Sequence, residues 1–236
     1  MRNRVNQVYE KYWNYIAAFT DFEGSRFRGV LAACVEFIDA HRAEDYSPEK
    51  YKESWKFLQS RYPSLAKKEV DAWVTQRKIW NQLVKLGFVF PQLRGYSDEC
   101  LDFLSSSNEM GRKLALSKVV YKYGNLNNSV TNKSPEWDGQ LAFLIRTIEY
   151  NKCLSLFELW TIMNYDYNSE NVSFLTAEDI RMLHNNQKSD DFFCRKYTQI
   201  RRLAHLLSKL LYIEFDGDSI SYKSNISYED IINRTT

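Results

Sequence analysis

Near the C-terminal end of the chain, Leu203, Leu206, Leu207, Leu210 and Leu211 recur at i, i+3, i+4, i+7 and i+8, while Thr198, Arg201, Arg202, His205 and Lys209 fall between them. A helix turns once every 3.6 residues, so the two sets lie on opposite sides, one apolar and one basic. The spacing predicts a helix over 190–211. It runs without a break into two short alternating segments, "YIEF" and "DSISYK", separated by Asp216 and Gly217. Asp-Gly between alternating runs predicts a β-hairpin with a type I′ turn, whose two central residues both need positive φ.

The same periodicity organises the rest of the chain. "VYEKYWNYIAAF" (8–19) and "FRGVLAACVEFIDAH" (27–41) read as amphipathic helices. Ser47 is placed to cap a helix that begins at Pro48 and stops before Pro63. A further helix over 66–86 ends at Gly87, and "FVFPQLRGYSDE", interrupted by Pro91 and Gly95, reads as a short strand with an irregular, wing-like loop. Helices follow over 110–123 and 139–150. Ser155 with Glu158 forms a capping box for the next helix, and Thr176 with Asp179 starts a short one to about 185. The Gly-, Asn- and Ser-rich stretch 124–138 reads as a linker between an N-terminal domain (1–123) and a C-terminal one (139–236).

Helices ending in a longer helix and a hairpin give the order of a winged helix, where the last helix of a helix-turn-helix enters the major groove and the hairpin reaches the backbone beside it. The first half repeats the pattern. Shifted by 124 residues, "RKIWNQLVKLGFV" (77–89) lies over "RRLAHLLSKLLYI" (201–213), with Arg77 on Arg201, Leu83 on Leu207, Lys85 on Lys209 and Leu86 on Leu210. The expected fold is therefore mainly α with short β-hairpins, arranged as two winged-helix subdomains. On this reading Lys78, Asn81, Gln82 and Lys85 line the exposed face of the first reading helix, and Thr198, Arg201, Arg202, His205 and Lys209 that of the second. Arg94 and Gln92 in the first wing and Lys223 in the second would reach backbone or minor groove. Asn and Gln grip adenine, Arg grips guanine and Lys meets phosphate, so the residue types suit duplex DNA. A solvated helix face has the same texture, and winged helices also dock proteins.

Composition sharpens this picture only locally. The 236 residues are 44% hydrophobic and 26% charged, enough for a sizeable core, and the net charge of +2 does not by itself announce a nucleic-acid binder. From Phe192 to Ile213, however, there are five Lys/Arg and no acid. No run of about 18 apolar residues occurs, Glu10 and Lys11 interrupt any leader-like core, and Cys34, Cys100, Cys153 and Cys194 stand apart. A reduced, cytoplasmic setting without a membrane is expected.

Catalytic patterns are missing from the sequence. No Asp-x-Lys or Glu-x-Lys occurs, so the metal-binding arrangement of restriction-type nucleases is not present. His41, His184 and His205 are far apart, with no metal-ligand spacing, and no glycine-rich phosphate loop exists. Cys194, beside Arg195 and Lys196, follows Phe192-Phe193 and reads as a buried thiol. Tyr9, Tyr12, Trp13, Tyr15 and Phe19 could stack on bases, but their helical spacing favours a core face. No catalytic residue, metal ligand or cofactor is expected.

Taken together, "VTQRKIWNQLVKLGFVFPQLRGYSDECLDFLS" (74–105), "LSLFELWTIM" (154–163) and the terminal helix-hairpin resemble the DNA-recognition region of certain type II restriction endonucleases. In that family tandem winged-helix subdomains are joined to a separate nuclease domain. The resemblance implies a double-stranded DNA partner and a role in sequence recognition within a restriction or defence system. The cutting chemistry would then belong to a nuclease domain or subunit elsewhere. Plasmid replication initiators are similar in carrying two winged helices, and a winged-helix scaffold subunit of a larger complex is the alternative outside DNA binding.

Overall fold

The computed structural model describes residues 21–22, 24–63, 69–126, 139–163, 165, 172–185 and 190–234. The helix expected over 8–19, with its aromatic residues, and most of the 124–138 linker lie outside them.

Among the described residues the first half holds the helices α1 (Ser25–Ala40), α2 (Pro48–Arg61), α3 (Glu69–Leu86), α4 (Asp98–Ser105) and α5 (Glu109–Tyr123). Local chemistry sets several of these boundaries. The Ser47 hydroxyl accepts from the Lys50 amide at 3.0 Å, and Pro48 occupies the first turn, where its missing N–H costs nothing. Gly87 ends α3 at φ +91, and a Cβ there would lie 2.4 Å from the Tyr123 Cβ and 3.1 Å from the Val119 carbonyl oxygen. The segment expected as a strand and wing is smaller than that: one bridge, Val89 to Tyr96, closes a loop containing a 3₁₀ turn at Pro91–Leu93. Ser97 then leads into α4, with Asp98 and Glu99 in its first turn, where acids suit the helix dipole.

The second half comprises α6 (Gln140–Asn151), β1 (Cys153–Ser155), α7 (Leu156–Met163), α8 (Ala177–Asn185), α9 (Asp190–Leu207), β2 (Ile213–Phe215), β3 (Ser219–Tyr222) and α10 (Tyr228–Arg234). The Ser155 capping box is formed on both sides, the Ser155 amide donating to Glu158 Oε2 at 2.7 Å and the Glu158 amide to Ser155 Oγ at 3.2 Å. Thr176 and Asp179 make the same reciprocal pair at α8. The three strands form an antiparallel sheet in the order β1-β3-β2, Leu154 facing Ile220 and Phe215 also facing Ile220. The whole is mainly helical with this small sheet.

The hairpin turn differs from the expected type. Asp216 N–H donates to the Ser219 carbonyl, so Gly217 and Asp218 are the central residues, and only Gly217 has positive φ (+113). That pattern suits type II′, which needs Gly at the first central position alone. The Asp216 carboxylate accepts from the amides of Ser219 and Asp218 and from the Ser219 hydroxyl, which holds its carboxyl down to about 2.

Two non-glycine residues frame the sheet in the left-handed region, Lys152 (φ +65) just before β1 and Tyr212 (φ +61) just before β2. Their carbonyls accept from successive amides at the end of β3, Tyr222 onto Lys152 and Lys223 onto Tyr212. Both edge strands are thus turned into register by a strained residue.

One apolar cluster runs through both halves, from Phe27, Leu31, Trp80, Leu83 and Phe88 to Leu144, Ile148, Leu159, Leu203 and Leu207. Helix α5 lies where they meet, packing on α3, α4, α6 and α10. The Ser117 hydroxyl, fully buried, accepts from the Leu211 amide at 2.9 Å, which ties α5 to the turn after α9.

These backbone constraints set the outcome of two stability measurements. Gly87→Ala is expected to lower the urea unfolding free energy by about 2 kcal/mol or more, since it adds both left-handed strain and a backbone clash. Tyr212→Gly is expected to raise it, by up to about 1 kcal/mol, because the side chain is half exposed and its φ suits glycine.

Candidate functional site

The stripe of leucines on α9 faces inward as its spacing demands, although the helix expected to reach 211 stops at Leu207 and Leu211 beyond it is half-buried. Leu203, Leu206 and Leu207, with Leu210 in the turn that follows, are buried as the helix packs against α7 and β2. Its opposite face is thereby left outside: Thr198, Arg202 and His205 are exposed, and Arg201 and Lys209 are half-buried. Arg201 is steadied within its own helix, Nη1 donating to the Tyr197 hydroxyl at 3.2 Å with the guanidinium 5.6 Å from that ring's centroid. Lys209 lies within electrostatic reach of Glu109.

The hairpin stands beside this face. The His205 ring meets Phe215 of β2 edge-on at 5.1 Å, so the outer surface of α9 and the hairpin are contiguous. A shallow cavity of about 450 Å³ opens there, lined in part by Ser208, Glu214, Phe215 and Lys223. Its charge is mixed. Glu214, Asp216 and Asp218 are exposed on the hairpin, and Lys223 Nζ is 3.9 Å from Glu214 Oε2.

The first expected face does not hold together. Lys78 and Asn81 are exposed on α3, but Gln82 is 1% and Lys85 3% exposed, so these two do not line an outer surface. For Lys85 the physical reason is nonlocal: the chain leaving α5 closes over that side of α3, with the Asn125 amide donating to the Lys85 carbonyl at 2.6 Å and Leu126 fully buried. Gln82 occupies the position equivalent to Leu206 in the 124-residue repeat, an inward position in both helices. Arg94 is exposed at the loop after the 3₁₀ turn, and Gln92 beside it takes φ +62.

The other candidate groups are occupied in structural contacts. His41 stacks on Phe37 and its Nδ1 is 2.8 Å from the Phe37 carbonyl oxygen, while His184 meets Phe157 edge-on. Cys34 and Cys100 are buried, which pushes the thiol of Cys100 up to about 12 and that of Cys34 well above its ordinary value. Cys194 lies in a segment whose side chains are outside the described set. Among the described residues no group of three or more His, Cys, Asp or Glu could hold a metal ion, and no helix is long and apolar enough to cross a membrane.

Comparisons with family models, with curated proteins and with solved structures give no match to this chain.

The burial of Lys85 carries a pH signature. Loss of solvent lowers its ammonium from 10.5 to about 8. Between those values the unfolded chain holds a proton that the folded one lacks, so stability should rise with pH over that window, and the cost should be complete below pH 8. Lys85→Met is expected to flatten this rise, since it removes the group that titrates over that window. Urea titrations from pH 7 to 10.5 on both proteins read this directly.

Proposed function

We propose that the second half of the chain is a winged-helix unit that binds double-stranded DNA through the outer face of α9. The observation that carries this reading is the contiguity of a basic, outward helix face with a hairpin whose neighbour sits on its far side. The order helix, strand, helices and hairpin, with sheet order β1-β3-β2, supports this reading. Thr198, Arg202 and His205 are open to a groove, and Arg201, oriented by Tyr197, reaches the same side. Lys209, in the turn just beyond α9, suits phosphate.

Within this reading the contact centres on the helix. The acids of the hairpin would repel phosphate, and the Asp216 carboxylate is already committed to its own turn. In the first half, Lys78, Asn81 and Arg94 remain as outward-facing groups for a second, weaker contact. The unit would serve as the sequence-recognition part of a restriction or defence system, the cutting chemistry lying on another domain or chain; a plasmid-type replication initiator uses the same kind of contact.

The acidic hairpin also favours a second reading, in which the unit is a scaffold that docks a basic protein surface. Salt separates the two. Fluorescence-anisotropy titration with random duplex DNA over a salt series should give binding whose affinity falls steeply with salt, as condensed counterions are released. Changing Arg201, Arg202 and Lys209 together to Ala should weaken it and reduce the slope by about 2 to 3. No binding at low salt, or binding unchanged in the triple variant, would remove the DNA reading in favour of docking.

A further inference from the structure

A second cleft lies away from α9, between α5 and the first turns of α6. It has a volume of about 290 Å³ and is lined by Tyr121, Lys122, Ala142, Phe143, Arg146 and Ser173, among others. That volume is at the lower end for small-molecule sites, which run from roughly 300 to 1,000 Å³. Its lining is mixed, and its charged lining groups, Lys122 and Arg146, are cationic.

Arg146 is the group that defines it. Its Nε donates to the Tyr121 hydroxyl at 3.0 Å, its guanidinium lies 5.3 Å from the Tyr121 ring centroid, and that hydroxyl donates in turn to Glu229 Oε2 at 3.3 Å. The guanidinium is therefore held in one orientation by its inner edge and its flat face. Its two Nη groups have no partner among the described residues, and Arg146 forms no ion pair there. Lys122 on the same wall is already paired with Glu99. A half-buried guanidinium fixed on one side and unsatisfied on the other presents two parallel donors, the geometry that takes two oxygens of one anion.

The adjoining backbone adds to this. Gly139 precedes α6 with no side-chain cap, and a Cβ built on it would meet nothing nearer than the Ala142 Cβ at 3.9 Å, while the chain leaving α5 covers the inner side of the helix start, the Leu141 amide donating to the Gly124 carbonyl at 3.3 Å and the Leu126 amide to Gln140 Oε1 at 2.6 Å. The dipole of α6 favours negative charge on the Gly139 side of the cleft. We propose that this cleft binds a phosphate group, free or as a small phosphomonoester, with Arg146 as its principal ligand. The site is separate from the α9 face and does not depend on the DNA reading.

Isothermal titration of the full chain with inorganic phosphate and with adenosine monophosphate, at constant ionic strength, tests it. Saturable one-site binding is expected. Arg146→Gln should weaken it at least 10-fold, and Arg146→Lys, which keeps the charge but loses the fork, should fall between. Ser173→Phe, a change at an exposed position on the cleft wall, should block binding with the Arg146–Tyr121 contact intact. Arg202→Ala, on α9, should leave binding unchanged, whatever it does to DNA binding. Equal affinity for the two ligands would identify phosphate itself, and tighter binding of the nucleotide would identify a phosphomonoester. Failure of both to saturate by about 10 mM, or binding untouched by both Arg146→Gln and Ser173→Phe, would overturn the assignment.

Discussion

Burial of four leucines, three on one side of α9 and Leu210 just beyond it, decides what the rest of that helix can do. Taking Leu203, Leu206, Leu207 and Leu210 out of water is worth roughly 1.5 to 3 kcal/mol each as an upper estimate, a sum comparable with the whole net stability of a domain. The helix cannot roll to bury its basic side without losing that. Arg202 and His205 face outward as a consequence of packing, and the hairpin is brought alongside by the same contacts, since α9 also packs on β2. The outward face is in this sense a by-product of the core.

Helix α5 extends the constraint to the other half. It carries buried residues toward α3 and α6, and its Ser117 hydroxyl satisfies the Leu211 amide at the turn that launches the hairpin. The same helix supplies Tyr121, which orients Arg146 on α6 and reaches Glu229 on α10. One element therefore steadies the base of the hairpin and one wall of the smaller cleft, which is why neither surface can be understood from its own segment.

What could be read from the sequence alone was what local chemistry decides. Ser47 before Pro48, Ser155 with Glu158 and Thr176 with Asp179 all cap helices as their spacing implies, because a cap needs only its own turn. The inward stripe of α9 was legible for the same reason. Gln82 could have been read, since it takes the inward place of Leu206 in the repeat; Lys85 could not, because its burial depends on the chain at Asn125, about forty residues on, closing over α3. Helix α4 was hidden by Pro91 and Gly95 just before it, although Ser97 followed by Asp98 and Glu99 is a legible start signal. β1 is three residues long and gains its identity only by pairing with β3, and Arg146 gains its character only from Tyr121.

On the proposed reading, the outer face of α9, with the hairpin beside it, is the surface that meets DNA. Backbone amide NMR of the labelled chain, titrated with a short duplex at low salt, reads that surface residue by residue. Shifts are expected to concentrate at Thr198, Arg201, Arg202, His205 and Lys209, with smaller ones in the hairpin and at Lys78 and Asn81. Shifts confined to other elements, or none at all with a duplex in excess, would contradict it.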